Sequence, residues 1–114
     1  MGLPSAGAIV VVPFPFSDLS QTKLRPAVVL VQAGRRGFVL CQVTSNPYAD
    51  LNAVQIAAED LLAGSLRVTS YARPGKLFTA SWDVITDEIG TLRRPAFDRV
   101  LRAVLGLLET SLES

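Results

Sequence analysis

A mainly β fold (α+β), a small and strongly bent antiparallel sheet or barrel capped by one C-terminal helix, is predicted by three features of this 114-residue chain. Short apolar runs rich in β-branched residues are separated by links carrying glycine and proline, the pattern of strands joined by tight turns. Near the C-terminus the apolar period changes from two to between three and four, which marks a helix. Hydrophobic residues make up 49% of the chain and charged ones 18%. That suffices for one packed core and leaves apolar surface for an oligomer interface. One domain over residues 1–114 is expected, with the sheet at about 7–92 and the helix at about 95–112.

Residues 8–12 form the first strand, ended by Pro13. Pro13-Phe14-Pro15-Phe16 lacks two ladder donors and reads as the strand's exit into a loop, continued by polar residues 17–23. The second strand covers residues 26–31, with Pro26 tolerated near its start. Gln32-Ala33-Gly34-Arg35-Arg36-Gly37 is a hairpin connection, and residues 38–43 run straight back. Three adjacent strands with short links make an antiparallel meander the economical topology. Asn46-Pro47-Tyr48-Ala49-Asp50 is turn chemistry, followed by a short strand at 53–56. Residues 59–64 fit one helical turn closed by Gly64. Residues 70–72 and 76–80 read as two short strands split by Pro74-Gly75, and residues 85–92 as one interrupted by acids and Gly90. Phe97, Val100, Leu101, Val104, Leu105, Leu108 and Leu112 then form the apolar stripe of an amphipathic helix packed on the sheet, with Pro95 in its first turn.

Composition also narrows the chemistry. The chain has no histidine and one cysteine, Cys41, which excludes an internal disulfide, Ser-His-Asp and Cys-His catalysis, and a zinc ligand set. Cys41 lies in an apolar run and reads as a small core residue. The acidic pairs Glu59-Asp60 and Asp87-Glu88 sit in segments with turn or helix-end character and read as solvated surface, so no metal site and no cofactor are expected. Residues 1–80 hold seven Lys/Arg against four Asp/Glu, while residues 81–114 hold four against six. This mild bias suits a local phosphate site and not a broad nucleic-acid footprint. No signal peptide and no membrane-length apolar run is visible, so a cytoplasmic protein is expected.

What remains is a set of cations and hydroxyls. Arg25 stands at the mouth of the second strand, and Thr44 follows the third. Folding the hairpin about Gly34-Arg35 sets Arg25 opposite Thr44 at its open end. A guanidinium presents a fixed fork of donors that matches phosphate oxygens. On residue type alone, a structural salt bridge is the commoner role of such an arginine.

Three stretches carry a resemblance. They are Gly7-Ala8-Ile9-Val10-Val11-Val12-Pro13-Phe14-Pro15-Phe16-Ser17-Asp18, then Lys23-Leu24-Arg25-Pro26-Ala27-Val28-Val29-Leu30, then Val43-Thr44-Ser45. In this order they resemble the MazF/PemK toxins of type II toxin–antitoxin systems, and Ser70-Tyr71-Ala72-Arg73-Pro74-Gly75-Lys76-Leu77-Phe78-Thr79 and the terminal helix are similar too. The likeness spans nearly the whole chain. It differs at Ala8, where that family usually has an acidic residue, and in a compact first loop.

The resemblance implies the SH3-like antiparallel barrel of the CcdB/PemK/MazF type with a C-terminal helix, a homodimer and a cognate antitoxin partner. It further implies a metal-independent, sequence-selective endoribonuclease that cuts single-stranded RNA through the substrate's 2′-OH, leaving a 2′,3′-cyclic phosphate and a 5′-OH. The family's catalytic arginine and threonine map onto Arg25 and Thr44, with Ser45 adjoining. Its groove-shaping first loop maps onto residues 16–23, hence Phe16, Ser17 and Lys23. Lys23 and Lys76 are candidate phosphate anchors, and Phe14 or Phe16 a stacking face if not core. The competing reading is a non-catalytic toxin on the same fold, acting by protein binding like a gyrase poison, or a degenerate antitoxin-binding module.

Overall fold

The computed structural model describes residues 2–15 and 22–113, leaving aside the side chains of residues 15, 22 and 113. Among the described residues the strands are β1 (Ala8–Pro15), β2 (Thr22–Gln32), β3 (Gly37–Thr44), β4 (Val54–Ile56), β5 (Leu61–Gly64), β6 (Ser70–Ser81) and β7 (Asp87–Leu92). One α-helix follows, α1 (Arg94–Glu109). The strands make one sheet in the order β4-β6-β3-β2-β1-β7-β5, with every pair antiparallel. The expected β1-β2-β3 meander is its centre.

The sheet curls into a half-barrel. Phe14 on β1 meets Phe78 on β6 edge to face, ring centroids 4.6 Å apart. Those strands are three places apart in the sheet, which in a flat sheet is about 14 Å. Only strong curling brings the rings together. The concave face holds Ala8, Val10, Val12, Ala27, Val29, Phe38 and Leu40, with Trp82 and Ile85 packed on them. The other face, carrying Ile9, Val28, Leu30, Cys41, Val43, Ile56 and Ala72, packs on Phe97, Val100 and Val104 of α1. Ala8 is buried in the concave cluster, where its side chain packs against neighbours.

Prolines decide where ladders stop. β1 does not exit at Pro13; it pairs with β2 as far as Pro15↔Thr22. The carbonyl of Val11 accepts from Thr86 on the β7 side. By alternation residues 13 and 15 turn their backbone nitrogens the same way, and β7 pairing has ended at Val11↔Asp87. The missing N–H groups of Pro13 and Pro15 therefore cost no ladder bond. Pro26 sits opposite Val11, so its nitrogen faces β3, and the β2–β3 ladder ends one residue away at Ala27↔Gln42.

Three other expectations change. Residues 61–64 are strand β5 after a 3₁₀ turn at Ala58–Asp60. Gly64 lies at φ 79°, and a Cβ there would stand 2.1 Å from the carbonyl oxygen of Ile89, so only glycine fits this approach to β7. The two short strands around Pro74-Gly75 are one strand, β6, that bends at a register shift opposite Cys41 to Val43. Asp87-Glu88 lies on β7 and is exposed, whereas Asp60 is an organising residue: its carboxylate accepts from Ala57 N–H and from Arg99.

The helix begins where Arg93 N–H donates to the Asp60 carbonyl. Arg93 supplies no side-chain cap, a loss of about 1 kcal/mol. Burying Phe97, Val100 and Val104 outweighs it, at about 1.5–3 kcal/mol each. The stripe is core only in its first half, since Leu105, Leu108 and Leu112 are exposed. No helix among the described residues is long and apolar enough to cross a membrane.

Candidate functional site

Residues directly opposite across a ladder share a face of the sheet. Val12↔Arg25 and Phe14↔Lys23 therefore put Arg25, Lys23 and Phe14 on the concave face, at its open end. On β3 the alternation that buries Phe38 and Leu40 in that face gives Gln42 and Thr44 the same side. The pairing Ala27↔Gln42 and Val28↔Cys41, continued by two residues, sets Arg25 opposite Thr44. A bulge beyond Val29 absorbs one residue nearer the turn, so the expected register holds on the Arg25 side of it. Because Pro26 closes the β2–β3 ladder early, the two residues flank a mouth and not a row of backbone bonds.

Arg25 is half-buried and Lys23 exposed. Thr44 is only 6% exposed. Its Oγ1 accepts from Asn46 N–H at 3.2 Å, which fixes the oxygen while the hydroxyl proton keeps its capacity to donate. Ser45 is exposed just beyond it. Phe14 is half-buried against Phe78, so it serves the curl of the sheet. Phe16 and Ser17 lie outside the described residues.

The segment after Thr44 is tightly built. Asn46 Oδ1 accepts from Tyr48 N–H at 2.9 Å. Asp50 Oδ1 accepts from Asn52 N–H at 2.9 Å, and Asp50 Oδ2 pairs with Arg73 Nε of β6 at 3.1 Å. The Arg73 guanidinium also stands over the Tyr48 ring, 5.6 Å from its centroid. The Asn52 N–H first, then the Arg73 bond, hold the Asp50 carboxyl below the usual carboxylate range against an opposing effect of burial, and Lys76 adds a smaller attraction. Lys76 is exposed on β6.

Sequence reasoning missed Asp50, Arg73 and Tyr48. The available signals were Arg73-Pro74, which repeats the Arg25-Pro26 step, and the place of Tyr48 four residues beyond Thr44. Cys41 takes no part: it is buried, its thiol donates to the Arg73 carbonyl, and burial pushes its pKa up to about 12. Among the described residues no group of three or more His, Cys, Asp or Glu could hold a metal ion.

The structure resembles that of MazF (form I) from Deinococcus radiodurans, with 22% identity, a TM-score of 0.74, and 95% of this chain and 98% of that one covered. It also resembles MazE–MazF (form II) from the same organism, at 20% identity and a TM-score of 0.71 over 95% and 97%. A third likeness is to an endoribonuclease in complex with its cognate antitoxin from mycobacterial species, at 16% identity and a TM-score of 0.68 over 99% and 96%. Identities of this size speak for the fold. None of the curated proteins matches the sequence. A family model described as PemK-like, MazF-like toxin of type II toxin–antitoxin system matches residues 5–108, and the chain belongs to that family.

Proposed function

We propose that this toxin is a metal-independent endoribonuclease that cuts single-stranded RNA at short sequences, with Arg25 and Thr44 as its catalytic pair. What supports this reading is the β2–β3 register, observed as far as Ala27↔Gln42, which sets Arg25 opposite Thr44 on one face when it is continued two residues past the ladder's end at Pro26. The fold shared with the mycobacterial endoribonuclease and with MazF supports it. A toxin that acted only by protein contact would have no need of this pairing.

In the step proposed, the substrate's 2′-oxygen attacks phosphorus and the bond from phosphorus to the 5′-oxygen breaks. The products are a 2′,3′-cyclic phosphate and a 5′-OH. Arg25 clamps the phosphate and meets the charge that develops on its oxygens, an effect worth several kcal/mol when the donor is preorganised. Thr44 donates to a non-bridging oxygen. Arginine hardly deprotonates in proteins, so it is not the base. The 2′-OH proton passes to water or to a substrate group, and the leaving oxygen takes one from water. Lys23, Ser45 and Lys76 are the proposed contacts to the strand, and the sequence assigns the same role to Phe16 and Ser17, which lie outside the described residues. The neighbours that hold an antitoxin support a cognate antitoxin partner here as well, and the family supports a homodimer.

The test is to incubate purified protein with a defined RNA in excess EDTA and map the fragment ends chemically. Cyclic phosphate and 5′-OH ends are expected. Intact RNA would overturn the reading, and activity lost only with EDTA would overturn its metal independence.

A further inference from the structure

We infer that Tyr48 is a base-stacking residue that sets sequence preference, presented beside Thr44 by the Asp50–Arg73 pair; this rests on the ribonuclease reading above. Tyr48 is 61% exposed, yet two contacts hold it. Its N–H is held by Asn46 Oδ1, one link from the Asn46 N–H bond to Thr44 Oγ1. Its ring lies against the Arg73 guanidinium, which the mostly buried Asp50 carboxylate holds by Nε. Tyr48 and Ala49 both adopt the left-handed conformation, at φ 54° and 60°. That backbone costs free energy in residues other than glycine and persists only where surrounding contacts impose it.

This is more organisation than a solvent-facing tyrosine in a connecting turn requires. The ring is an aromatic platform with the Arg73 guanidinium behind it, 5.6 Å from the centroid, and Lys76 is exposed three residues further along the same strand. Aromatic faces flanked by cations are the chemistry of single-stranded nucleic-acid binding. Tyr48 is four positions beyond Thr44, so their Cα atoms are at most about 14 Å apart, and the bonded turns between them shorten that. A strand with its phosphate at Arg25 and Thr44 therefore has a neighbouring base within reach of Tyr48. The phenol ring offers a face to any base and an O–H to one base edge, which makes it a source of preference as well as affinity.

The experiment uses the full chain. The cut site in a defined RNA is mapped first, and the 2′-OH there is replaced by hydrogen to give an uncleavable ligand for anisotropy titration. Tyr48→Ala is expected to raise Kd and KM roughly tenfold or more with kcat within about threefold, and to loosen the cut pattern. Tyr48→Phe, which keeps the ring, restores most of the affinity but leaves preference relaxed, while Tyr48→Leu behaves like Tyr48→Ala. Thermal unfolding confirms that each variant is folded. An unchanged Kd and cut pattern in Tyr48→Ala overturns the inference, as does Tyr48→Leu matching Tyr48→Phe, which would assign the effect to bulk. A loss confined to kcat also overturns it, since Tyr48 would then only position Thr44. If wild-type protein cuts nothing, Kd is read with unmodified RNA. Binding that falls on Tyr48→Ala then sustains Tyr48 while the ribonuclease reading fails, and no binding at all sinks both.

Discussion

The two ends of the β2–β3 hairpin each carry an arginine–aspartate pair nearby, and the pairs differ far more in exposure than in distance. At the closed end Arg36 meets Asp83 at 2.9 Å with side chains 58% and 73% exposed. At the open end Arg73 meets Asp50 at 3.1 Å with side chains 19% and 14% exposed. The shorter pair is the weaker one, because water screens it and competes for both partners. Asp50 has in addition the Asn52 N–H, and Arg73 the face of Tyr48. The hydrogen-bonded loop stands beside the proposed catalytic pair, and the screened pair stands at the far turn. Solvent, and not separation, distinguishes a brace from a surface contact.

Substitutions at the two ends test that contrast, beginning with the mouth itself. Arg25→Ala is expected to leave a folded protein, by circular dichroism, with RNA cleavage down by about two orders of magnitude or more; near wild-type cleavage would remove Arg25 from the mechanism. Asp50→Ala should destabilise by about 2 kcal/mol in urea unfolding, since it leaves the mostly buried Arg73 guanidinium without its carboxylate and removes the acceptor of the Asn52 N–H. A change as small as that at Arg36 would erase the difference between the ends. Thr44→Val removes both the acceptor for Asn46 and the donor for phosphate. It should cost at least about tenfold in kcat, with Thr44→Ser recovering most of it.

A smaller effect concerns acid. The folded-state pKa values of Asp50 and Asp60 are both lowered, the second chiefly by the Ala57 N–H. Their contribution to stability is complete above the unfolded value of about 3.9 and is lost as pH falls through the lowered folded values. Unfolding midpoints measured from pH 7 to pH 3 should drop less steeply in Asp50→Asn than in wild type. The smallest change is expected of Arg36→Ala, within about 0.5 kcal/mol of wild type. A loss above 1 kcal/mol there would show the exposed pair to be a brace too.

Much of the sheet was legible because its signals are local. The hairpin over residues 32–37 and its register follow from two apolar runs and one turn, and the observed ladder keeps that register to its last pair, Ala27↔Gln42. The helix was legible from its period, though the stripe overstated the core by Leu105, Leu108 and Leu112. Prolines were misread at residues 13, 15 and 74. A missing N–H ends a strand only if a neighbour needs it, and which side has a neighbour is not written in the local sequence. Residues 61–64 were misread for the related reason that β5 exists to pair with β7, about thirty residues further on.

From the sequence came the curled β class, the meander, the helix, the exclusion of histidine chemistry, and the hairpin register on which the pairing of Arg25 with Thr44 is proposed. These depend on period, residue type and spacing along one hairpin, all of which are short-range. The tertiary structure alone decided that Asp50, Arg73 and Tyr48 form one unit beside Thr44, and that Asp60 anchors the helix through Arg93 and Arg99. Those contacts join residues twenty or more positions apart. Their strength comes from the water that folding removes, which no run of neighbouring letters specifies.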